Sequence, residues 1–341
     1  MNKKKIIFVY PHLFTFIRTE ISLLSKHFNI LHINQKWNNK ILLPLNLLYQ
    51  LIFLLVNIRK CTYVLISFAG YWSLIPVIIA KFFGIRNGIV VHGTDCVDFK
   101  DINYGSLRKP FLKWFIKKSL QLTDIILPVS ESLVYTKNTY FSDDNLNFGY
   151  SYHLGIVNTP YKVIPNGLII DDWKIKKTEK KQNTFISVMT KDQVLRKGGD
   201  LIIEFAKIFP KGKFYFAGLD EIANAPSNVI CLGRLSPDEL KNWYSKTQFY
   251  LQLSNFEGFG VAICEAMLCS CIPIVSNVNF LPEIVGRTGL ILKKRNAQML
   301  LDAFNDFIKK DLNSLGDNAK ERIISNFSSD NRQDMLISIL K

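Results

Sequence analysis

The chain has 341 residues, 48% of them hydrophobic, and a formal net charge of +15. That length exceeds one typical core and fits two domains, and the apolar content excludes global disorder. The charge is lopsided: residues 1–165 hold 19 Lys and Arg against 8 Asp and Glu. A basic surface suits nucleic acid, an anionic membrane or an acidic acceptor. Without zinc-finger spacing, an aromatic RNP-like strand or an Arg-rich arm, nucleic acid is the weakest of the three and is not expected as a partner.

The opening MNKKKIIFVYPH runs straight into a strand-like apolar core too short for a secretory signal. Residues 5–10 read as the first strand, 16–27 as a helix and 30–33 as the next strand. Residues 41–56 are strongly apolar, but Pro44, Asn46 and Gln50 interrupt them, and they fall short of the about 20 residues that a spanning helix needs. The helix over 43–58 is therefore expected to be buried or interfacial. Strand 63–67, helix 74–83, strand 88–92, helix 107–122 and strand 124–129 follow, with SESL at 130–133 opening a further helix. This alternation predicts a mostly parallel sheet with helices on both faces. Within the fourth helix, RKPFLKWFIKK interleaves Phe111, Trp114 and Phe115 with cations. It reads equally as a domain helix burying its aromatics and as a seat on an anionic bilayer.

Residues 160–167 break the pattern and 171–183 are polar and lysine-rich, which places the hinge and linker at 166–183. A second alternating series follows: strand 185–189, helix 200–209, strands 214–217 and 229–232, helix 237–245 and strand 249–253. The expected organisation is an α/β first domain over 1–165 and a second over 184–327. The six cysteines form no C-x-x-C pair and read as small buried thiols in a reducing cytosol.

The second series leads into SNFEGFGVAICEAM, residues 254–267, read as a strand, a tight loop and a helix. Gly258 and Gly260 permit conformations and close approaches that a Cβ would block, and a helix from about Val261 directs its N–H groups back at the loop. Such a junction suits a diphosphate. Glu257 in the loop and Glu265 one turn into the helix flank that point, since helical side chains lean toward the N-terminus. Carboxylates accept hydrogen bonds from hydroxyls, so a diphosphate between two polyol rings, a nucleotide sugar, would fit. The alternative is an ordinary turn with solvated glutamates. RKGGDLIIEF, residues 196–205, sets Arg196 and Lys197 before a helix, where they would neutralise a diphosphate or form a solvated basic loop. VVHGTD, residues 90–95, puts His92 at the carboxyl edge of a strand, to bond a donor-sugar hydroxyl, to help orient the acceptor or to cap the strand. Asp95 would bind acceptor hydroxyls or cap the turn.

Glu257 and Glu265, with seven residues between them, resemble the E-x7-E signature of retaining GT-B glycosyltransferases. EGFG followed by EAM is similar to the form in glycosyltransferase family 4, and VIPNG (163–167) and PEIVG (282–286) stand in the same order as in that family. The resemblance implies a GT-B fold, two Rossmann-like doubly wound domains facing a central cleft, with residues 328–341 returning to the first. It implies that Glu265 holds the ribose hydroxyls and Glu257 contacts the donor sugar, with Gly258, Phe259, Gly260 and Val261 around the diphosphate. Arg196 and Lys197 would stabilise the departing diphosphate, with Lys191 a rival first cation. The backbone of LGRL at 232–235, with Arg234 and Leu235, would read the nucleobase edge, and His92 looks like the cleft histidine of related transferases. PHLFTF at 11–16 departs from the usual glycine-rich loop, and Ser270 stands where the family has glycine. No D-x-D triplet occurs, so neither a metal nor another cofactor is expected.

The implied activity is that of a retaining hexosyltransferase moving sugar from a nucleoside diphosphate, UDP or GDP, to a glycan or lipid-linked acceptor. It would serve cell-surface polysaccharide or glycolipid synthesis, in the cytoplasm and peripheral to its membrane. A nucleotide-sugar epimerase and a non-catalytic binding subunit of the same fold are the alternatives.

Overall fold

The computed structural model describes residues 3–341 except 34, 36, 38, 143, 145, 176 and 177, and only the backbone of Lys40. Residues 1 and 2 of the first expected domain and 176 and 177 of the expected linker lie outside the described residues. The chain divides into two units. The first comprises Met1–Thr136, Phe148–Pro165 and Arg332–Lys341, and the second Lys137–Asn147 and Asn166–Asn331.

The first unit runs β1 (Lys5–Val9), α1 (Thr15–Ser25), β2 (Asn29–Ile33), α2 (Leu43–Asn57), β3 (Tyr63–Ser67), α3 (Leu74–Phe82), β4 (Arg86–Val91), α4 (Pro110–Leu122) and β5 (Ile125–Pro128). The strands form one parallel sheet in the order β2-β1-β3-β4-β5. Their apolar runs are buried because parallel sheets are covered on both faces; β3 is buried at every position. Right-handed crossovers put α1 on one face and α2, α3 and α4 on the other, where α3 packs against both neighbours. The helix expected to open at SESL is a single 3-10 turn, Glu131–Leu133. Val134, Tyr135 and Thr136 behind it favour extended backbone, and the chain passes into a short ribbon of β6 (Thr136–Asn138) and β7 (Leu146–Phe148) before α5 (Tyr150–Leu154).

The second unit runs β8 (Lys181–Val188), α6 (Gly199–Ile208), β9 (Lys213–Ala217), β10 (Val229–Cys231), α7 (Pro237–Lys246), β11 (Thr247–Gln252), α8 (Val261–Leu268), β12 (Ile272–Ser276), α9 (Leu281–Val285), β13 (Leu290–Leu292), α10 (Ala297–Phe307) and α11 (Leu312–Asn326). Its six strands are parallel in the order β10-β9-β8-β11-β12-β13. At the centre Phe185 stacks on Phe214 at 4.6 Å and on Phe249 at 5.1 Å, an arrangement that adds about 0.5–1.5 kcal/mol per pair beyond area burial. β8 begins at Lys181, inside the expected linker. Its first residues pair only with β11, before β9 joins at Thr184, so they are exposed and polar and resemble linker in composition. Ser270, at the turn from α8 to β12, has φ +56°, the left-handed conformation that glycine adopts without strain.

The final helix, α12 (Ser329–Leu340), joins the first unit from Arg332 onward. Arg332 Nε donates to Glu20 Oε2 at 2.7 Å, and Nη2 lies 2.6 Å from the same oxygen in an ion pair whose side chains are both 7% exposed. Its Nη1 donates to the carbonyls of Ile164 and Pro165, and Gln333 donates to the Leu23 carbonyl. All six cysteines are free, and all but Cys231 are buried. Burial raises the thiols of Cys96, Cys264 and Cys271, and that of Cys269 to about 12, so they are poor nucleophiles.

Candidate functional site

The candidate residues of the second unit follow the carboxyl ends of its strands, the edge at which ligands gather in open α/β sheets. The loop after β8 carries Arg196 and Lys197 and reaches α6 through Gly198, whose φ is +72°. A Cβ there would run into the carbonyl of Leu253, so only glycine lets the start of α6 come this close to the end of β11. Asn255, fully buried, clamps the approach: its N–H donates to the Arg196 carbonyl and its Nδ2 to the Leu195 carbonyl, both at 2.8 Å. Lys197 Nζ donates to the Val188 carbonyl at 2.8 Å.

These constraints bring Arg196 to Glu257. Arg196 Nη1 lies 3.0 Å from Glu257 Oε2, and the two side chains are 13% and 14% exposed. The same oxygen accepts from Gln252 Nε2 at 2.9 Å and, more weakly, from Ser254 Oγ at 3.5 Å. The Glu257 N–H donates to Asn279 Oδ1 at 3.1 Å. Glu257 is therefore an oriented carboxylate, not the solvated turn residue of the alternative sequence reading. Lys191, the rival cation, is exposed on the 3-10 turn Lys191–Gln193.

Glu265 lies one turn into α8 and is half-buried. Burial pushes its carboxyl up to about 7 while Lys197 pulls it down. Lys197 is held below its ordinary value by burial and by Arg196, against the pull of Glu257 and Glu265. Arg196, Lys197, Glu257 and Glu265 thus form one coupled charge cluster. The cluster is suited to exchanging internal partners for the oxygens of an incoming diphosphate and the hydroxyls beside it.

Gly260, at φ +104°, immediately precedes α8, which starts at Val261. Phe259 is 3% exposed and packs against Phe280 and Phe327 at 5.7 and 5.6 Å. Its ring is an anchor for the loop, which leaves any ligand contact at this position, and at Gly258, to the backbone. After β10, the Leu232 N–H donates to Phe216 O, the Gly233 N–H to Leu219 O, and Gly233 O accepts from the Gly218 N–H. Contact with a base in this loop would fall to exposed Arg234 and half-buried Leu235.

In the first unit, His92 directly follows β4, with Nε2 2.9 Å from Ser67 Oγ and its ring 4.2 Å from Phe68 and 5.0 Å from Phe16. Burial, helped by Arg332, holds its imidazole well below the ordinary value, so the ring is neutral near neutral pH. Phe68 has φ +61°, which is strained for an aromatic residue, at the end of β3. Phe14 stacks on Phe16 at 5.6 Å, so the aromatics of PHLFTF line the carboxyl edge beside His92. Asp95 is 1% exposed and accepts N–H bonds from Ala69, His92 and Gly93. It ties the β3 and β4 loops together, and this occupied carboxylate is unsuited to the acceptor-binding role considered from sequence.

Sequence reasoning missed Gln252, Asn255 and Asn279, which hold Glu257 and the Arg196 loop, and also Arg295. Arg295 Nε donates to Asn255 Oδ1 at 3.1 Å, and its guanidinium pairs with Asp200. The available signal was a polar residue directly behind an apolar strand, as in FYLQL and IVSNVN. Among the described residues, no group of three or more His, Cys, Asp or Glu is placed to hold a metal ion.

Residues 171–325 match the family model described as glycosyl transferases group 1. An uncharacterized glycosyltransferase of Methanocaldococcus jannaschii is 33% identical over 140 residues, 38% of this chain and 40% of that one. O-antigen chain mannosyltransferase B of Escherichia coli is 40% identical over 60 residues, 18% of this chain and 16% of that one. The matches thus span less than half the length of either relative. The crystal structure of Anabaena HepE in complex with UDP superposes with a TM-score of 0.68 and 13% identity, covering 98% of this chain and 99% of that one, a likeness of fold.

Proposed function

We propose that the protein, whose residues 171–325 match the family model of glycosyl transferases group 1 in a chain of GT-B fold, is a retaining glycosyltransferase. It takes a hexosyl group from a nucleoside diphosphate sugar, UDP- or GDP-linked, and delivers it to a glycan or lipid-linked acceptor in cell-surface polysaccharide or glycolipid synthesis. The site of action is cytoplasmic, at the membrane face. The observation that carries the reading is the cluster Arg196, Lys197, Glu257 and Glu265, assembled by one sheet edge within one unit.

On donor binding, the diphosphate brings about two negative charges to Arg196 and Lys197. Glu265 accepts from the ribose hydroxyls, and Glu257, held by Gln252 and Asn279, contacts the sugar. As the glycosidic bond to phosphate breaks, the two cations stabilise the charge growing on the leaving oxygen, so no metal is required. Arg234 and Leu235 border the base. Neutral His92 and the aromatics Phe14 and Phe16 suit a sugar hydroxyl and a sugar face on the acceptor side. Thermal-shift measurements against UDP-, GDP-, ADP- and dTDP-sugars test the reading: one donor class stabilises the protein, and Glu257→Ala abolishes transfer. Transfer lost in EDTA and restored by manganese would remove the metal-free step. A donor sugar isomerised without any acceptor would point to an epimerase instead.

A further inference from the structure

The helix α2 buries one side against the first unit, where Leu54 and Gln50 are fully buried, Gln50 donating Nε2 to the Trp72 carbonyl at 3.0 Å, and Asn46, Leu47 and Asn57 are half-buried. The outward residues are Leu45, Leu48, Tyr49, Ile52, Leu55 and Val56, between 48% and 64% exposed. At 100° per residue they fill one arc of the helix without a polar interruption. On a helix at a soluble surface this outward arc would carry the polar and charged residues.

The exposed face does not stop at α2. The adjacent α3 presents Ile78 and Phe82, the latter 80% exposed, and α4 presents Phe111 and Trp114. All three helices lie on the same face of the sheet, with α3 packed between α2 and α4. Cations border them: Arg59 and Lys60 beyond the end of α2, Lys81 on α3, and Lys113, Lys117 and Lys118 on α4. None of α2, α3 and α4 contains an Asp or Glu. Exposed apolar side chains gathered on neighbouring helices mark an interaction face, and cations without acids on these helices choose among possible covers.

We infer that this face seats the protein on an anionic lipid bilayer, with the α2 arc entering the boundary between headgroups and acyl chains and the α4 lysines meeting anionic headgroups. The mode is peripheral, because the arc is one side of a helix whose other side packs into the first unit; among the described residues no helix is long and apolar enough to cross a membrane. The inference stands apart from the donor reading, because none of its residues belongs to the charge cluster.

The test is co-sedimentation of the full chain with vesicles of phosphatidylcholine, alone or mixed with phosphatidylglycerol. The wild type pellets with the mixed vesicles. Leu48→Glu with Ile52→Glu lowers binding by about a hundredfold, from the burial lost by two aliphatic side chains. Lys113→Gln, Lys117→Gln and Lys118→Gln together lower it by about a hundredfold on mixed vesicles and leave binding to phosphatidylcholine unchanged, at the worth of three surface cations. Both variants change only outward or bordering side chains, and an unchanged thermal melt and donor-induced shift verify their folding. The inference is overturned if the wild type ignores mixed vesicles, or if neither variant reduces binding. It is also overturned if Leu48→Glu with Ile52→Glu instead dissolves a dimer seen by sedimentation velocity in a protein that does not bind vesicles, which would make the face an interface between copies.

Discussion

The pH dependence of donor binding isolates the role of Glu265. Its carboxyl is raised to about 7 by burial, so the free protein carries it largely protonated below that pH and ionised above. Ribose hydroxyls donate to the ionised form, and binding below neutrality must therefore expel a proton. With a pKa near 7, the dissociation constant is about tenfold weaker at pH 6 than at pH 8, or about 1.4 kcal/mol. The ligand should be an intact nucleotide sugar, whose diphosphate is esterified at both ends and does not titrate in this range. All five histidines lie in the first unit, so none confuses the titration of the second. Toward alkaline pH the affinity falls again as Lys197, already depressed by burial, releases its proton. Stability runs the other way: a carboxyl raised in the folded state stabilises it at low pH, and that contribution, about 3 kcal/mol, is lost progressively as pH rises from about 4.5 to about 7. Isothermal titration calorimetry across the range, repeated with Glu265→Gln, measures the effect. The reasoning fails if the Gln variant keeps the wild-type slope, or if affinity improves on acidification.

Arg196→Ala removes a charge-assisted contact worth about 1.5–3 kcal/mol and should weaken donor binding by about 10- to 100-fold, whereas Lys191→Ala changes it by less than about twofold; calorimetry on the two variants distinguishes them. Gly198→Ala forces a side chain into left-handed backbone and against the Leu253 carbonyl, and should cost about 3 kcal/mol or more by urea denaturation, with donor binding lost at the same time. Arg332→Ala leaves Glu20 as a buried carboxylate without its partner and should destabilise the first unit by about 3–5 kcal/mol. If Glu20→Gln rescues none of that loss in the Arg332→Ala background, the ion pair is not its cause.

The alternation of apolar runs with longer amphipathic stretches carried most of the fold. The strand 63–67 was legible to the residue because it is buried on both faces and has no polar competitor. The polar start of β8 was not, since its composition follows solvent exposure and not hydrogen bonding. The helix expected at 130–133 failed because a serine–glutamate opening was followed by residues that prefer extended backbone. In the site, glycines and charged residues announced themselves, while Gln252, Asn255 and Asn279 act through contacts that only the folded sheet edge creates. The apolar run of α2 gave the helix but not its orientation. Its few polar residues look like interruptions of a buried face; they share the buried side with Leu54, and it is the uninterrupted apolar arc that faces outward.

The pairing of Arg332 with Glu20 joins residues 312 positions apart. At a translation rate of roughly 5–20 residues per second, Glu20 leaves the ribosome about 15–60 s before its counterpart is made. During that interval the nascent first unit holds an acid awaiting its base, while the intervening second unit is already nearly complete. The order of maturation is thus the reverse of the order of synthesis, and a prematurely terminated product would carry its weakness near the beginning of the chain.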